Sequence, residues 1–259
     1  FEILRAIDKK DVVYLMEVRD RAFELLLKKT PSGDTPIVYA LKQGKSHQEV
    51  AIILVGAFSR YVNHLDDADF SKPKTKEILR LMRINLKQSI DWGLQNSQSD
   101  LISSFLQTLV MSEGEKWVNE QVSSIAAALR APSSLRPVEM ARQAVRGFAT
   151  KQLKQLPKGQ SIASLDDYVS NATGDLLMMA AWSAAMIAID EADPIPTWYF
   201  ARDDRVHKAF VDRLDLRRTK IEDRVSRRLR WQIRTLRDTL SGRTISWRVC
   251  SPSDLYNFN

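Results

Sequence analysis

Between Leu214 and Leu240, apolar side chains return at steps of three, four or seven residues: Leu214, Ile221, Val225, Leu229, Ile233, Leu236 and Leu240. That spacing draws one stripe along an α-helix and does not keep to one side of a strand. The opposite side carries Arg217, Lys220, Arg224, Arg227, Arg228, Arg234 and Arg237. Helical periodicity recurs along most of the chain. Only 9 Gly and 9 Pro punctuate 259 residues, too few for a turn-rich sandwich, and a strand pattern is visible only over 244–249. The expected fold class is all-α.

The best-spelled element lies near the other end. In Gly33-Asp34-Thr35-Pro36-Ile37-Val38-Tyr39-Ala40-Leu41-Lys42-Gln43-Gly44, Gly33 suits a tight turn and Thr35 a helix cap. Pro36 suits the first helical position, where no N–H is needed, and Gly44 a left-handed helix end. A second apolar run, Val50 to Val55, returns beside it. This stretch resembles an ankyrin repeat, built of a turn, a Thr-Pro-Leu-His-x-Ala signature and a helix pair. Val38 stands where the family has His, and Lys45 to Glu49 lengthens the inter-helix link. Residues 3–29 read as a degenerate earlier repeat, with Ala6-Ile7 on a first helix and Val12, Val13, Leu15 and Met16 on a second. Residues 86–114 read as a weak third unit, with helices at 89–93 and 101–111, after an inserted loop at 64–73.

The resemblance implies a short, irregular ankyrin-like solenoid over 1–114 that recognises protein. It also implies contact candidates Asp34, Val38, Tyr39, Lys42 and Gln43, with Lys87, Asp91 and Gln95 from the weak third unit. Beyond residue 114 the repeat register is lost, and 115–259 reads as a helical domain. Helices are expected at 115–130, 137–156 and 175–191, with a capping-box-like start at Ser164 and Asp167, Asp standing in place of Glu. Long helices over 203–240 then lead to an extended tail. The apolar run Leu176 to Ile189 is short for a membrane span and is expected to be a buried helix.

Charge separates the two halves. Between Ala201 and Arg248 stand 15 basic and 7 acidic residues, a local excess of +8 within a net +7, so the remainder balances to −1. An electrostatic partner belongs to the C-terminal fifth. Arginines along 213–237 with Trp231 among them suit either an acidic protein or nucleic-acid phosphates, whereas pairing with Asp212, Asp215, Glu222, Asp223 and Asp238 would leave a solvated face. The single Cys250 rules out an intrachain disulfide and agrees with a reducing compartment. The chain opens on Phe1 without initiator Met or signal pattern, as expected of a piece of a longer intracellular protein, cytoplasmic or nuclear.

Candidates for chemistry are sparse. His64, Asp66, Asp67 and Asp69 carry metal-type donors, but on consecutive loop positions they read as an acidic loop, and no metal is expected. Asp190, Glu191 and Asp193 read as the polar exit of an apolar helix rather than an acid–base pair. Cys250 beside Ser251-Pro252 has no evident base, and neither a nucleophile elbow nor a phosphate-cradling glycine loop occurs. Trp182, Trp198, Tyr199 and Phe200 suit core packing or a peptide pocket, with Trp198 and Tyr199 as the surface candidates. The expectation is a non-catalytic protein-interaction scaffold or adaptor without a cofactor and off the membrane. The alternative is a nucleic-acid-associated factor using the Arg-rich segment.

Overall fold

The computed structural model describes residues 2–66, 68–98, 100–131, 136–147, 163–201 and 204–240, with side chains from Tyr168 onward in the fifth stretch. The described residues are all-α, with no strand among them. The strand pattern at 244–249, the tail and the second half of the helix expected over 137–156 lie outside them. The chain divides into two compact units, and among the described residues the division falls between Gly114 and Glu115.

Unit 1 is built from consecutive helix pairs. Helices α1 (Glu2–Lys9) and α2 (Val12–Arg21) form the first, α3 (Pro36–Lys42) and α4 (Gln48–Asn63) the second, and α5 (Pro73–Gln95) and α6 (Ile102–Met111) the third. The odd helices pack successively, α1 on α3 and α3 on α5, and so do the even ones, α2 on α4 and α4 on α6. Two layers result, and the apolar stripe of each helix is buried between them. Ile7, Leu15, Leu26, Leu27, Ile37, Leu54, Phe58, Leu79 and Phe105 are the unit's largest fully buried side chains. Each removes enough apolar surface from water to contribute about 1.5–3 kcal/mol.

Local geometry explains the central pair. Gly33 and Gly44 adopt φ of +87° and +78°, which glycine enters without the Cβ penalty. Thr35 is extended before α3, and its carbonyl accepts the first helical bond from Tyr39 at 2.8 Å. Its side chain, however, does not cap the helix: Oγ1 is buried without a hydrogen-bond partner. The long link becomes a 3-10 turn, Lys45–His47. In the first pair the second helix buries Leu15 and Val18, while Val13 and Met16 turn outward.

The third pair departs from expectation more strongly. Residues 89–93 are not a short helix of their own but the last part of the 23-residue α5, which begins at Pro73. No breaker lies between Pro73 and Gly93, and Pro73 supplies a pre-set first turn. Asn85 is buried in this helix and donates to the Leu27 carbonyl at 3.2 Å, tying α5 to the segment after α2. Gly93 is required by space: a Cβ there would lie 2.7 Å from the Gln98 carbonyl oxygen.

Unit 2 contains α7 from Glu115 onward (the whole helix is Gly114–Arg130), α8 (Pro137–Gly147), α9 (Ala163–Ile189), α10 (Arg205–Leu216), α11 (Arg218–Arg224) and α12 (Arg227–Leu240). Helix α9 is the axis, and α8, α10, α11 and α12 all pack on it. It spans Ala163 to Ile189 and runs through Ser164, Asp167 and Gly174 without a break, so no helix begins at 164–167 or at 173–175. From Ala172 to Ala185 every side chain but Ser183 is buried. Ala180, Ala181, Ala184 and Ala185 let neighbouring helices approach on several sides at once.

The apolar part of α9 is longer than the run Leu176 to Ile189 suggests, which corrects the expectation that it is too short for a membrane. The stretch Tyr168–Ile189 is 22 residues, long and apolar enough to cross a membrane by length and composition, and most of it is buried inside the protein. Most of its apolar surface is covered by the helices of its own unit, with Ile187 left exposed.

Candidate interaction surfaces

Of the contact row implied by the ankyrin resemblance, Asp34, Tyr39 and Lys42 are bonded within unit 1. Lys42 Nζ contacts Asp34 at 2.7 Å, and the Tyr39 hydroxyl donates to Asp8 at 2.8 Å. That hydrogen bond to a carboxylate, with some desolvation, raises the Tyr39 phenol above its ordinary value. Val38 is buried, so it is not a surface residue; Gln43, Lys87 and Gln95 are exposed, and Asp91 is half-buried with Oδ1 unpartnered. The acidic loop is likewise organised internally. Asp69 accepts from Lys72 Nζ at 2.6 Å and from the Asp66 N–H at 3.0 Å, while His64 Nδ1 lies 2.7 Å from the Arg60 carbonyl. Asp67 is outside the described residues.

At the end of α9, carboxylates meet cations. Asp190 leaves the helix with φ +56°, swinging Glu191 and Asp193 towards α10 and α11. Arg213 contacts Asp193 Oδ1 at 2.9 Å and its carbonyl at 3.1 Å, while Arg217 reaches Asp193 Oδ2 at 3.3 Å and Glu191 at 3.6 Å. Lys220 Nζ is 2.7 Å from Glu191. The Arg217 guanidinium lies 5.7 Å from the ring centre of Trp182, whose Nε1 donates to the Asp193 carbonyl at 2.8 Å. Lys220, and then Arg217, hold the Glu191 carboxyl below its usual range. Glu191 therefore stays ionised near neutral pH, the state of a structural clasp rather than of a general acid.

The aromatic candidates separate by burial. Trp182 is wholly buried, and Phe200 is buried against Trp117 with ring centres 5.8 Å apart. Trp198 is 49% exposed. Pro194 and Pro196 restrict the backbone around buried Ile195, and the 3-10 turn Thr197–Tyr199 then lifts the indole outward. Tyr199 meets Trp198 edge-on, with centres 4.4 Å apart at 79°, and the Arg205 guanidinium lies 5.8 Å from the indole centre. An aromatic pedestal results, flanked on two sides.

The Arg-rich segment is not one helix. It turns at Arg217, between α10 and α11, and again at Val225, which is extended at φ −84° and ψ +138°. Ser226 then caps α12, its Oγ accepting from the Leu229 N–H at 3.3 Å. The apolar stripe stays buried across both breaks, since Leu214, Ile221, Val225, Leu229, Ile233, Leu236 and Leu240 are each at most 7% exposed. The basic side is divided. Arg217 and Lys220 belong to the clasp, Arg237 pairs with Asp215 at 2.7 Å, and Arg228 donates to the Ala131 carbonyl at 2.5 Å. Arg224, Arg227 and Arg234 are exposed and make no hydrogen bond or ion pair among the described residues. Trp231, 45% exposed, lies between the last two. Arg230, one turn before Arg234, carries no mark of its own in the sequence pattern; it donates to the Glu222 carbonyl at 2.7 Å.

Compared with protein-family models, with curated proteins and with solved structures, the chain matches none.

Proposed function

We propose that this chain is a non-catalytic protein-interaction module, a scaffold or adaptor within an intracellular assembly, cytoplasmic or nuclear, that docks a partner segment on the Trp198–Tyr199–Arg205 pedestal. The observation that carries the reading is the half-exposed indole of Trp198, preorganised by Tyr199 and Arg205. Trp, Tyr and Arg dominate the energetics of protein interfaces, and Trp and Tyr bury large areas while losing few rotamers. A side chain already held in place loses less entropy on binding. Two-layer stacking of helix pairs in unit 1 supports reading it as a short ankyrin-like array with a scaffolding role, its contact row partly satisfied from within.

The test compares the whole chain with Trp198→Ala and with Trp198→Ala/Tyr199→Ala as bait in native extract, using quantitative mass spectrometry. A protein held through the pedestal is expected to fall about tenfold or more in occupancy, the equivalent of losing one strong interface residue. Circular dichroism should stay unchanged. Equal capture by wild type and both variants would remove the pedestal from the proposal.

A further inference from the structure

The outer side of α12 is a second surface, with a different chemistry. On a helix of 3.6 residues per turn, Arg227, Trp231 and Arg234 stand at i, i+4 and i+7, one above the other on a single face. Arg230 flanks them on one side, and the opposite side of the helix buries Leu229, Gln232, Ile233, Leu236 and Leu240. The helix carries five arginines against one acid, Asp238, a net +4 over about 20 Å. The exposed indole thus has a guanidinium within about one helical turn on each side along the axis.

We infer that this face binds a single strand of nucleic acid, with an unpaired base stacked on Trp231 and the flanking phosphates on Arg227 and Arg234, assisted by Arg230. Charge complementarity selects a polyanion. The aromatic group in the middle of the row selects among polyanions. A base offers a flat π-face whatever its identity, whereas the carboxylates of an acidic peptide have nothing to set against an indole. A duplex keeps the faces of its bases stacked inside and presents only phosphates and base edges, with no π-face for Trp231. Arginine suits the task because its planar guanidinium reaches phosphate oxygens in pairs and remains charged at all relevant pH values.

The test is fluorescence anisotropy of the full chain with a labelled oligothymidylate or oligouridylate of about 15 nucleotides, long enough for one such site. Arginines 227, 230 and 234 each displacing a counterion give an expected slope of about −2 in log K against log salt. Trp231→Ala should weaken binding about tenfold or more, Trp231→Phe should retain most of it, and Arg227→Glu/Arg234→Glu should abolish it at moderate salt. Quenching of indole emission that is lost in Trp231→Phe would place the base on that ring. The inference is overturned by an absence of binding at low salt or by Trp231→Ala binding as wild type does. A duplex of equal length binding as tightly would overturn it too, as would polyglutamate displacing the strand at equal charge concentration, which would assign the face to an acidic protein. Trp198→Ala serves as control and leaves strand binding unchanged, so failure here and failure of the pedestal are separable.

Discussion

Gln232 lies on the inner side of α12, wholly buried, with neither amide atom in a hydrogen bond. Leaving a buried amide unpaired costs about 1–3 kcal/mol relative to an apolar group of like shape. Gln232→Met keeps the unbranched shape and removes the unpaired groups, so it is expected to raise the urea midpoint by the equivalent of about 1–3 kcal/mol at constant m-value. A lower midpoint would mean that the amide is satisfied by internal water. The sequence marks Gln232 only by period, since it falls beside Ile233 and Leu236 on the apolar stripe. Thr35 teaches the reverse. Its type and its place before Pro36 point to a side-chain cap, and the backbone does take the capping conformation. The hydroxyl is nevertheless turned into the packed interior, because neighbours remote in sequence determine where it points. Val38 shows the same limit: the family pattern puts that position on a contact surface, and the packing of α3 against α1 and α5 buries it.

Breaks that carry a residue-level mechanism are the legible ones. Pro36, Pro73 and Pro137 each stand at the start of a helix, and Gly44 takes a positive φ after α3. The break between α11 and α12 had a signal too, since Ser226 is a good N-cap before Arg227, but the unbroken apolar stripe conceals it. At Arg217 there is no Gly, Pro or cap to read. That turn coincides with the ion pairs of Arg213, Arg217 and Lys220 with Glu191 and Asp193, charges contributed by segments remote from each other in the chain. The clasp has a pH signature. Glu191 titrates lower in the folded protein than in the unfolded chain, so its contribution is present above the ordinary glutamate value near 4.3 and is lost as pH falls through the depressed folded value. Acid titration followed by circular dichroism should therefore show Glu191→Gln less stable than wild type at pH 7, with the two curves converging as pH drops below about 4. Parallel curves over that range would mean that Glu191 does not contribute through its charge.

At the scale of the whole chain, the two units have separate cores, one between layers of paired helices and one around α9. Residues 1–114 expressed alone are expected to give a helical spectrum and a cooperative urea transition, because α1 to α6 bury their stripes against one another. A broad, non-cooperative transition would mean that this core is incomplete. The all-α class was legible from the sequence because helix period and scarcity of breakers are local properties, summed over many residues. The buried stripe of Leu214 to Leu240 was legible for the same reason: the period survives two breaks in the backbone. Membership of the sites was not. Whether Tyr39, Lys42, Arg217 or Arg237 is offered to a partner depends on Asp8, Asp34, Asp193 and Asp215, and a charge in a sequence does not declare which opposite charge it will meet. Local spacing determined the helices and their buried sides, and only the tertiary structure decided which polar groups on the other sides remain open. The first depends on neighbours within one or two turns; the second depends on contacts between residues that the chain holds far apart.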